Sequence, residues 1–383
     1  MTPLRMLALS PVPEEGAGCR FRIAQYLPYL ESAGIEATLS PFYTTEFFRL
    51  VYQKGRSLQK AALFVERAID RAYTLTERGR YDVIFIYREA FPVGPALIEA
   101  VLSRTPGAAI VYDFDDAIYL PNTSEANRAI AVLKWPSKVR AIMRRSHCVI
   151  AGNEYLARYA RAFNAHVRVI PTVVDTAAFV PRADFHDSGD RAPIVGWIGT
   201  PTTAPYLLAI RPILQEVART RRFVLRVCGA GADLDIPGVT VENGRWTLDS
   251  EVSLFNTCDI GIYPLPDDEW ARGKCGFKAI QFMACGVPVV AAPVGVNQDI
   301  IQDGENGFLA PTEADWTQKL ARLLADRDLR RTLGRAGRRT VEGRYSLRAT
   351  APMLVEAVTD AVGRARRSDG VTPVAVGALD RTR

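Results

Sequence analysis

Residues 273–295 read GKCGFKAIQFMACGVPVVAAPVG and hold two lysines four positions apart. Lysine is scarce in this chain, where nearly every other basic side chain is arginine. Residues 278–284 have helical character. Lys274 falls in the loop before them, and a Gly-Val-Pro turn follows, leading into an apolar strand. A helix N-terminus offers unpaired N–H groups and a partial positive charge. With Arg272, Lys274 and Lys278 added, it makes a site for an anion such as a diphosphate. Gln281 lies one turn after Lys278, on about the same face, where its amide suits paired hydroxyls such as those of a ribose. The other reading, a surface helix with incidental lysines, is weakened by the placement of two scarce residues together.

A second group is YDFDDAIY, with Asp113, Asp115 and Asp116 at the end of an expected strand. Clustered carboxylates are costly unless they face a cleft, pair with arginine or bind a metal. On one reading they face a cleft. Otherwise they make a helix cap with an arginine partner such as Arg88. A third group is EEGAGCRFR, where Gly16 and Gly18 join the first strand to the first helix. Arg20 and Arg22 open that helix, either to meet an anion or as ordinary surface. Arg88 and Glu89 occupy the comparable loop YREAFPVG.

These residues need a scaffold, and the chain supplies one. Apolar runs alternate with helical-period segments throughout, which predicts an α/β fold with parallel sheets and crossover helices. Strands are expected at LRMLALSPV, EATLSPF, YDVIFIYR, AAIVYDFDDA, HCVIAGN and VRVIPTVVD. After the Pro-bounded polar stretch of residues 176–193 come PIVGWIGT, RFVLRVCG, VTVENG, CDIGIYPLP, VPVVAAP and GFLAP. One continuous helix is expected for RFRIAQYLPYLESAGI, ending at Gly34, and a long amphipathic one within residues 50–79. The expected division is 1–178, a linker at 179–193, 194–345, a final helix at 346–367 and a disordered tail at 368–383. Two doubly wound domains face each other across a cleft at their strand C-terminal edges, where such sheets bind ligands.

The bulk properties narrow the function. The chain has 383 residues, too many for one ordinary core. Its 48% hydrophobic and 23% charged residues are those of a globular protein. No apolar run reaches the roughly 18–20 residues that span a bilayer. The N-terminus lacks the pattern of a secretory signal. A cytoplasmic location is therefore expected, with peripheral contact at the inner membrane face left open. The six cysteines and three histidines form no ligand spacing, so no metal site is expected. The net charge of +6 concentrates in segments such as KVRAIMRRSH and DRDLRRTLGRAGRRT. Those suit either a solvated surface or an anionic membrane. No aromatic interleaving or motif points to nucleic acid.

The segment KCGFKAIQFMACGVPVVAAPVGVNQDIIQDGENGFLA closely resembles the nucleotide-sugar-binding motif of family 4 retaining glycosyltransferases, which have the GT-B fold. VIPTVVDTAAF, CDIGIYPLPDDEW, GENGFLA and RYSLRATAPML resemble further segments of that family, strongly in the second half of the chain and weakly in the first. The resemblance implies a donor site of Gly199, Thr200, Arg272, Lys274, Gly276, Phe277, Lys278 and Gln281. It implies a catalytic group of Asp115, Asp116 and Lys278, and acceptor contacts at Gly16, Gly18, Arg20 and Arg88. It implies a final helix crossing back to the first domain and no cofactor. The Asp-x-Asp of residues 113–115 is similar to the metal motif of a different glycosyltransferase fold, and GT-B enzymes generally do without it.

The pattern departs from the family in three places. The family's paired glutamates, eight apart, fall at Gly273 and Gln281. Asp267, Asp268 or Glu269 is the nearby source of a replacement acid. The basic pair after the first C-terminal-domain strand is missing from GWIGTPTTAPYL, where the turn of residues 199–203 offers only N–H groups and hydroxyls. Lys274 and Lys278 are the replacement cations, in a subgroup pattern K-x-x-x-K-x-x-Q. The resulting expectation is transfer of a sugar from a nucleoside-diphosphate sugar to a glycan or lipid-linked acceptor, with retention and without metal, in surface polysaccharide or glycoconjugate synthesis. A GT-B nucleotide-sugar epimerase and a non-catalytic sugar-nucleotide-binding relative are the alternatives.

Overall fold

A computed structural model describes residues 2–51, 53, 55–120, 135–182 and 191–368. Each half of the chain builds one parallel sheet. The first holds β1 (Leu4–Ser10), β2 (Ile35–Pro41), β3 (Val83–Tyr87), β4 (Ala109–Phe114), β5 (Cys148–Ala151) and β6 (Val167–Val169), in the order β2-β1-β3-β4-β5-β6. The second holds β7 (Ile194–Ile198), β8 (Val224–Cys228), β9 (Thr240–Gly244), β10 (Ile260–Tyr263), β11 (Val289–Ala291) and β12 (Phe308–Leu309), in the order β12-β11-β10-β7-β8-β9. Every expected strand is present. The central strands β3, β4, β5, β7 and β11 are buried along their whole length. Helices cover both faces of such a sheet, so its strands read as continuous apolar runs.

The helix expected after β1 is divided. It forms Ala17–Arg22, a short 3-10 turn and Leu27–Ser32. Pro28 is the reason, because its ring fixes the backbone and its nitrogen donates no helical bond. The long helix is Ser57–Glu77. Its outward face shows Leu58, Val65, Ile69 and Tyr73. Its basic side chains turn elsewhere: Arg71 is buried on the Ser40 carbonyl, and Arg67 pairs with Asp70.

Two connections fix the domains together. Asp259, beside β10, accepts from Arg182 (2.7 Å), from Arg191 (2.9 Å) and from the Ile194 amide (2.7 Å). Both described ends of the interdomain connection are thereby tied to the second sheet. The Leu347–Ser368 helix returns to lie on β4 and β5. It buries Leu354, Ala357, Val358, Ala361 and Val362 there, and Thr350 meets the Tyr26 hydroxyl at 2.8 Å. The expected tail, apart from Ser368, lies outside the described residues. Among the described residues, no helix is long and apolar enough to cross a membrane.

Candidate functional site

The strand C-terminal ends of the two sheets meet at the loop of residues 273–276. Gly276 has φ +64° and precedes the Phe277–Ala284 helix. A side chain there is doubly excluded, by the left-handed backbone and by Ile300 Cδ1, onto which a Cβ would project. The helix that follows is fixed by its apolar face. Ala279, Ile280, Phe282 and Met283 are buried, and the helix packs on β10 and on the Arg327–Arg344 helix.

The N-terminal domain grips this loop. Asn153 follows β5 and caps the Glu154–Arg161 helix, accepting from Leu156 N at 2.9 Å. Its Nδ2 donates to the carbonyls of Gly273 (3.1 Å) and Lys274 (3.0 Å). The Cys275 thiol donates to the Asp115 carbonyl at 3.1 Å, and its sulfur fills the space that a Cβ at Gly152 would take. Phe277 stacks at 4.5 Å, tilted, on Phe21 of the first helix. A Cβ at Gly273 would lie 2.7 Å from the Ala117 Cβ. That accounts for the residue found where the family pattern has its first glutamate: the apposed domain leaves no room for a side chain.

The acids after β10 stay on the outside. Asp267 pairs with Arg272 at 2.6 Å, Asp268 caps the short Glu269–Arg272 helix, and Glu269 is exposed in its first turn. Arg272 is thus engaged at the surface. The carboxylate beside Gln281 is instead Glu251, at the start of the Glu251–Asn256 helix. Gln281 Nε2 donates to it at 3.2 Å.

Lys278 is half-buried and donates to Gln281 Oε1 at 2.8 Å. The Phe255 and Phe277 rings lie 5.4 and 6.0 Å from its ammonium. Burial lowers its pKa to about 8, with Glu251 opposing that shift. Gln281 is wholly buried and uses both ends of its amide within this group. Lys274 is half-buried above the Trp270 ring at 5.7 Å. The turn beside β7 is built from Gly199 and Thr200. Gly199 N donates to Cys228 O (3.0 Å), and Thr200 N donates to Thr203 Oγ1 (2.9 Å).

On the facing side, Asp115 accepts from Arg88 Nε (2.8 Å), Arg88 Nη2 (2.6 Å) and the Tyr87 hydroxyl (2.9 Å). Burial would push the Asp115 pKa up, but the Arg88 and Arg22 guanidinium groups hold it below the usual range. Asp116 goes the other way: burial raises it against the pull of Lys274 and Arg88. Its Oδ1 is buried without a hydrogen-bond partner among the described residues. Arg88 itself has φ +57°, an uncommon backbone for a residue with a side chain. Gly18 leaves the space that the Tyr87 hydroxyl fills, while Gly16 lies against Val12.

Arg22 differs from the expectation of an acceptor-facing helix start. It is buried against Asp113 and the Ile170 carbonyl (2.8 Å), so it serves the core. Asp113 is therefore committed to Arg22 within the core and is not a cleft-facing acid. Arg20 also departs from a free acceptor contact, donating to Glu251 Oε2 across the cleft at 2.8 Å. Sequence reading missed Glu251, Asn153 and Tyr87. Asn153 carried a local signal, since Asn before Glu at a helix start is a capping pattern. Glu251 and Tyr87 carried none, because their partners lie in other elements.

Residues 192–326 match the family model described as glycosyl transferases group 1. The D-inositol 3-phosphate glycosyltransferase of Stackebrandtia nassauensis is 30% identical over 247 residues, covering 55% of this chain and 52% of that protein. The protein of the same description from Kribbella flavida is 27% identical over 317 residues, covering 72% and 71%. The chain spans about half the length of the first of these relatives. Among solved structures, sucrose-phosphate synthase from Thermosynechococcus elongatus superposes with TM-score 0.63 at 19% identity, over 93% of this chain and 98% of that one. Anabaena Alr3699/HepE in complex with UDP and glucose gives TM-score 0.63 at 17% identity, over 93% and 99%. Residues 192–326 thus match the glycosyl transferases group 1 model, within a chain that has the GT-B fold of two facing Rossmann-like domains.

Proposed function

We propose that this protein transfers a sugar from a nucleoside-diphosphate sugar to a glycan or lipid-linked acceptor. One observation carries the reading: a half-buried lysine and a glycine-started helix lie together at the cleft, in a domain of group 1 glycosyltransferase type. Lys278, Lys274 and the first N–H groups of the Phe277–Ala284 helix are the groups that meet the diphosphate. The turn at Gly199 and Thr200 adds N–H and hydroxyl donors. Anabaena Alr3699/HepE, of the same fold, binds UDP and glucose, which makes a uridine nucleotide the first donor to try.

Asp116 is the acceptor-side group we assign to the chemistry, since its Oδ1 has no hydrogen-bond partner among the described residues and would gain one from a sugar hydroxyl. Asp115 is committed to Arg88 and Tyr87 and holds that corner in place. Cationic groups stabilise the leaving diphosphate without a metal, and the retaining outcome follows the family resemblance. Apposed domains exclude water that would hydrolyse the donor. A lipid-linked acceptor at the inner membrane face suits the outward Leu58, Val65, Ile69 and Tyr73 stripe, in a surface polysaccharide or glycoconjugate pathway.

The test is a thermal-shift screen of nucleotide sugars, followed by transfer assays with the sugar that binds. Lys278→Ala should cut transfer at least about a hundredfold with the melting temperature kept. Equal transfer and donor hydrolysis in that variant would sink the assignment.

A further inference from the structure

Four side chains run unbroken from the first helix of the N-terminal domain to the anion site. Arg20 Nη2 donates to Glu251 Oε2 (2.8 Å), Gln281 Nε2 donates to Glu251 Oε1 (3.2 Å), and Lys278 Nζ donates to Gln281 Oε1 (2.8 Å). Glu251 and Gln281 are buried, and Lys278 is the half-exposed end. Arg20 is further held over Phe21 at 4.6 Å and Trp246 at 5.9 Å.

We propose that Glu251 is a positioning residue that couples apposition of the two domains, through Arg20, to the placement and charge of the Lys278 ammonium, through Gln281. This rests on Lys278 being a diphosphate-binding group. A buried carboxylate needs a cationic partner, because desolvation without one is expensive. With the domains together, Arg20 is that partner, and Lys278 is left to an incoming anion. With the domains apart, Arg20 leaves, and Lys278 becomes the nearest cation to Glu251. The nucleotide then has to compete with Glu251 for Lys278. Diphosphate affinity is thereby tied to closure.

The residue at 281 fits this arrangement. An amide can accept from Lys278 at one end and donate to Glu251 at the other. A glutamate there would accept from Lys278 but set a second carboxylate against Glu251. The charged groups facing Lys278 are Glu251, from the Glu251–Asn256 helix, and Arg20, from the Ala17–Arg22 helix. They act in opposite directions on its proton: Glu251 retains it and Arg20 repels it.

The experiment titrates the full chain labelled with 13C at lysine Cε. The Lys278 resonance is assigned by its loss in Lys278→Arg, and UDP affinity is measured by calorimetry from pH 7 to 9.5. Wild-type protein should deprotonate Lys278 near pH 8, the value that burial gives it, and UDP affinity should fall above that pH. Glu251→Gln preserves size and the acceptor for Arg20, and should move the midpoint down by roughly one unit. Arg20→Gln, in the other domain, should move it up. Unchanged midpoints in both variants would overturn the proposal, even if affinity dropped, because a purely structural role lowers affinity at every pH alike. Should Glu251→Gln fail to fold, the upward shift in Arg20→Gln decides alone. A wild-type chain that does not bind UDP would count against the nucleotide reading, while the two midpoints would still report on the coupling.

Discussion

At the scale of single residues, small side chains and buried charges decide the cleft. Gly276→Ala forces a left-handed backbone on a residue with a Cβ and drives that Cβ into Ile300. It should cost at least about 1–2 kcal/mol, read as a lower urea midpoint, and should weaken nucleotide binding. Arg22 and Asp113 form a buried pair. Arg22→Met strands the aspartate and should destabilise the chain by about 3–5 kcal/mol. The double variant with Asp113→Leu should recover much of that loss, checked by denaturant unfolding. Gly276 was recognisable from its place in the motif. The partnership of Arg22 was not, because Asp113 lies 91 residues further along the chain.

At the scale of elements, one side chain can serve two of them. Asn153 caps the Glu154–Arg161 helix through its oxygen and holds the 273–274 carbonyls through its nitrogen. Asn153→Asp keeps the cap but sets an oxygen against two carbonyls. It should leave the helix intact by circular dichroism while raising the KM for donor several-fold. Asn153→Ala loses the cap and both carbonyl contacts and should also cost about 1 kcal/mol of stability. The basic segments also resolve at this scale. Lys138 is buried on the Phe91 carbonyl at 2.6 Å and pairs with Glu89. Arg338 binds the carbonyls of Phe179, Ala284 and Thr176, fastening the interdomain connection to the second sheet. Lys138 and Arg338 are thus inward-facing structural groups within runs whose Arg140, Arg144, Arg145, Arg335 and Arg339 stay exposed.

At the scale of the whole molecule, the last helix fastens the halves together. Truncation after Arg344 would expose the β4 and β5 cover formed by Leu354, Val358 and Val362. Each such side chain contributes about 1.5–3 kcal/mol. The truncated chain should lose hydrogen-exchange protection first in β4 and β5, not in β10 and β11. Much of this architecture was legible beforehand. The strands of the described residues, their arrangement in two parallel-sheet domains and the helix start at the cleft follow from local patterns: buried parallel strands need continuous apolar runs, and a tight turn needs glycine. What the tertiary structure decided was which charged groups meet. Gly273 proved to be the place where Ala117 arrives from the other domain. The carboxylate beside the anion site is Glu251, thirty residues before Gln281. Local sequence encodes backbone shape and burial, whereas a charge finds its partner only when separate elements close on one another.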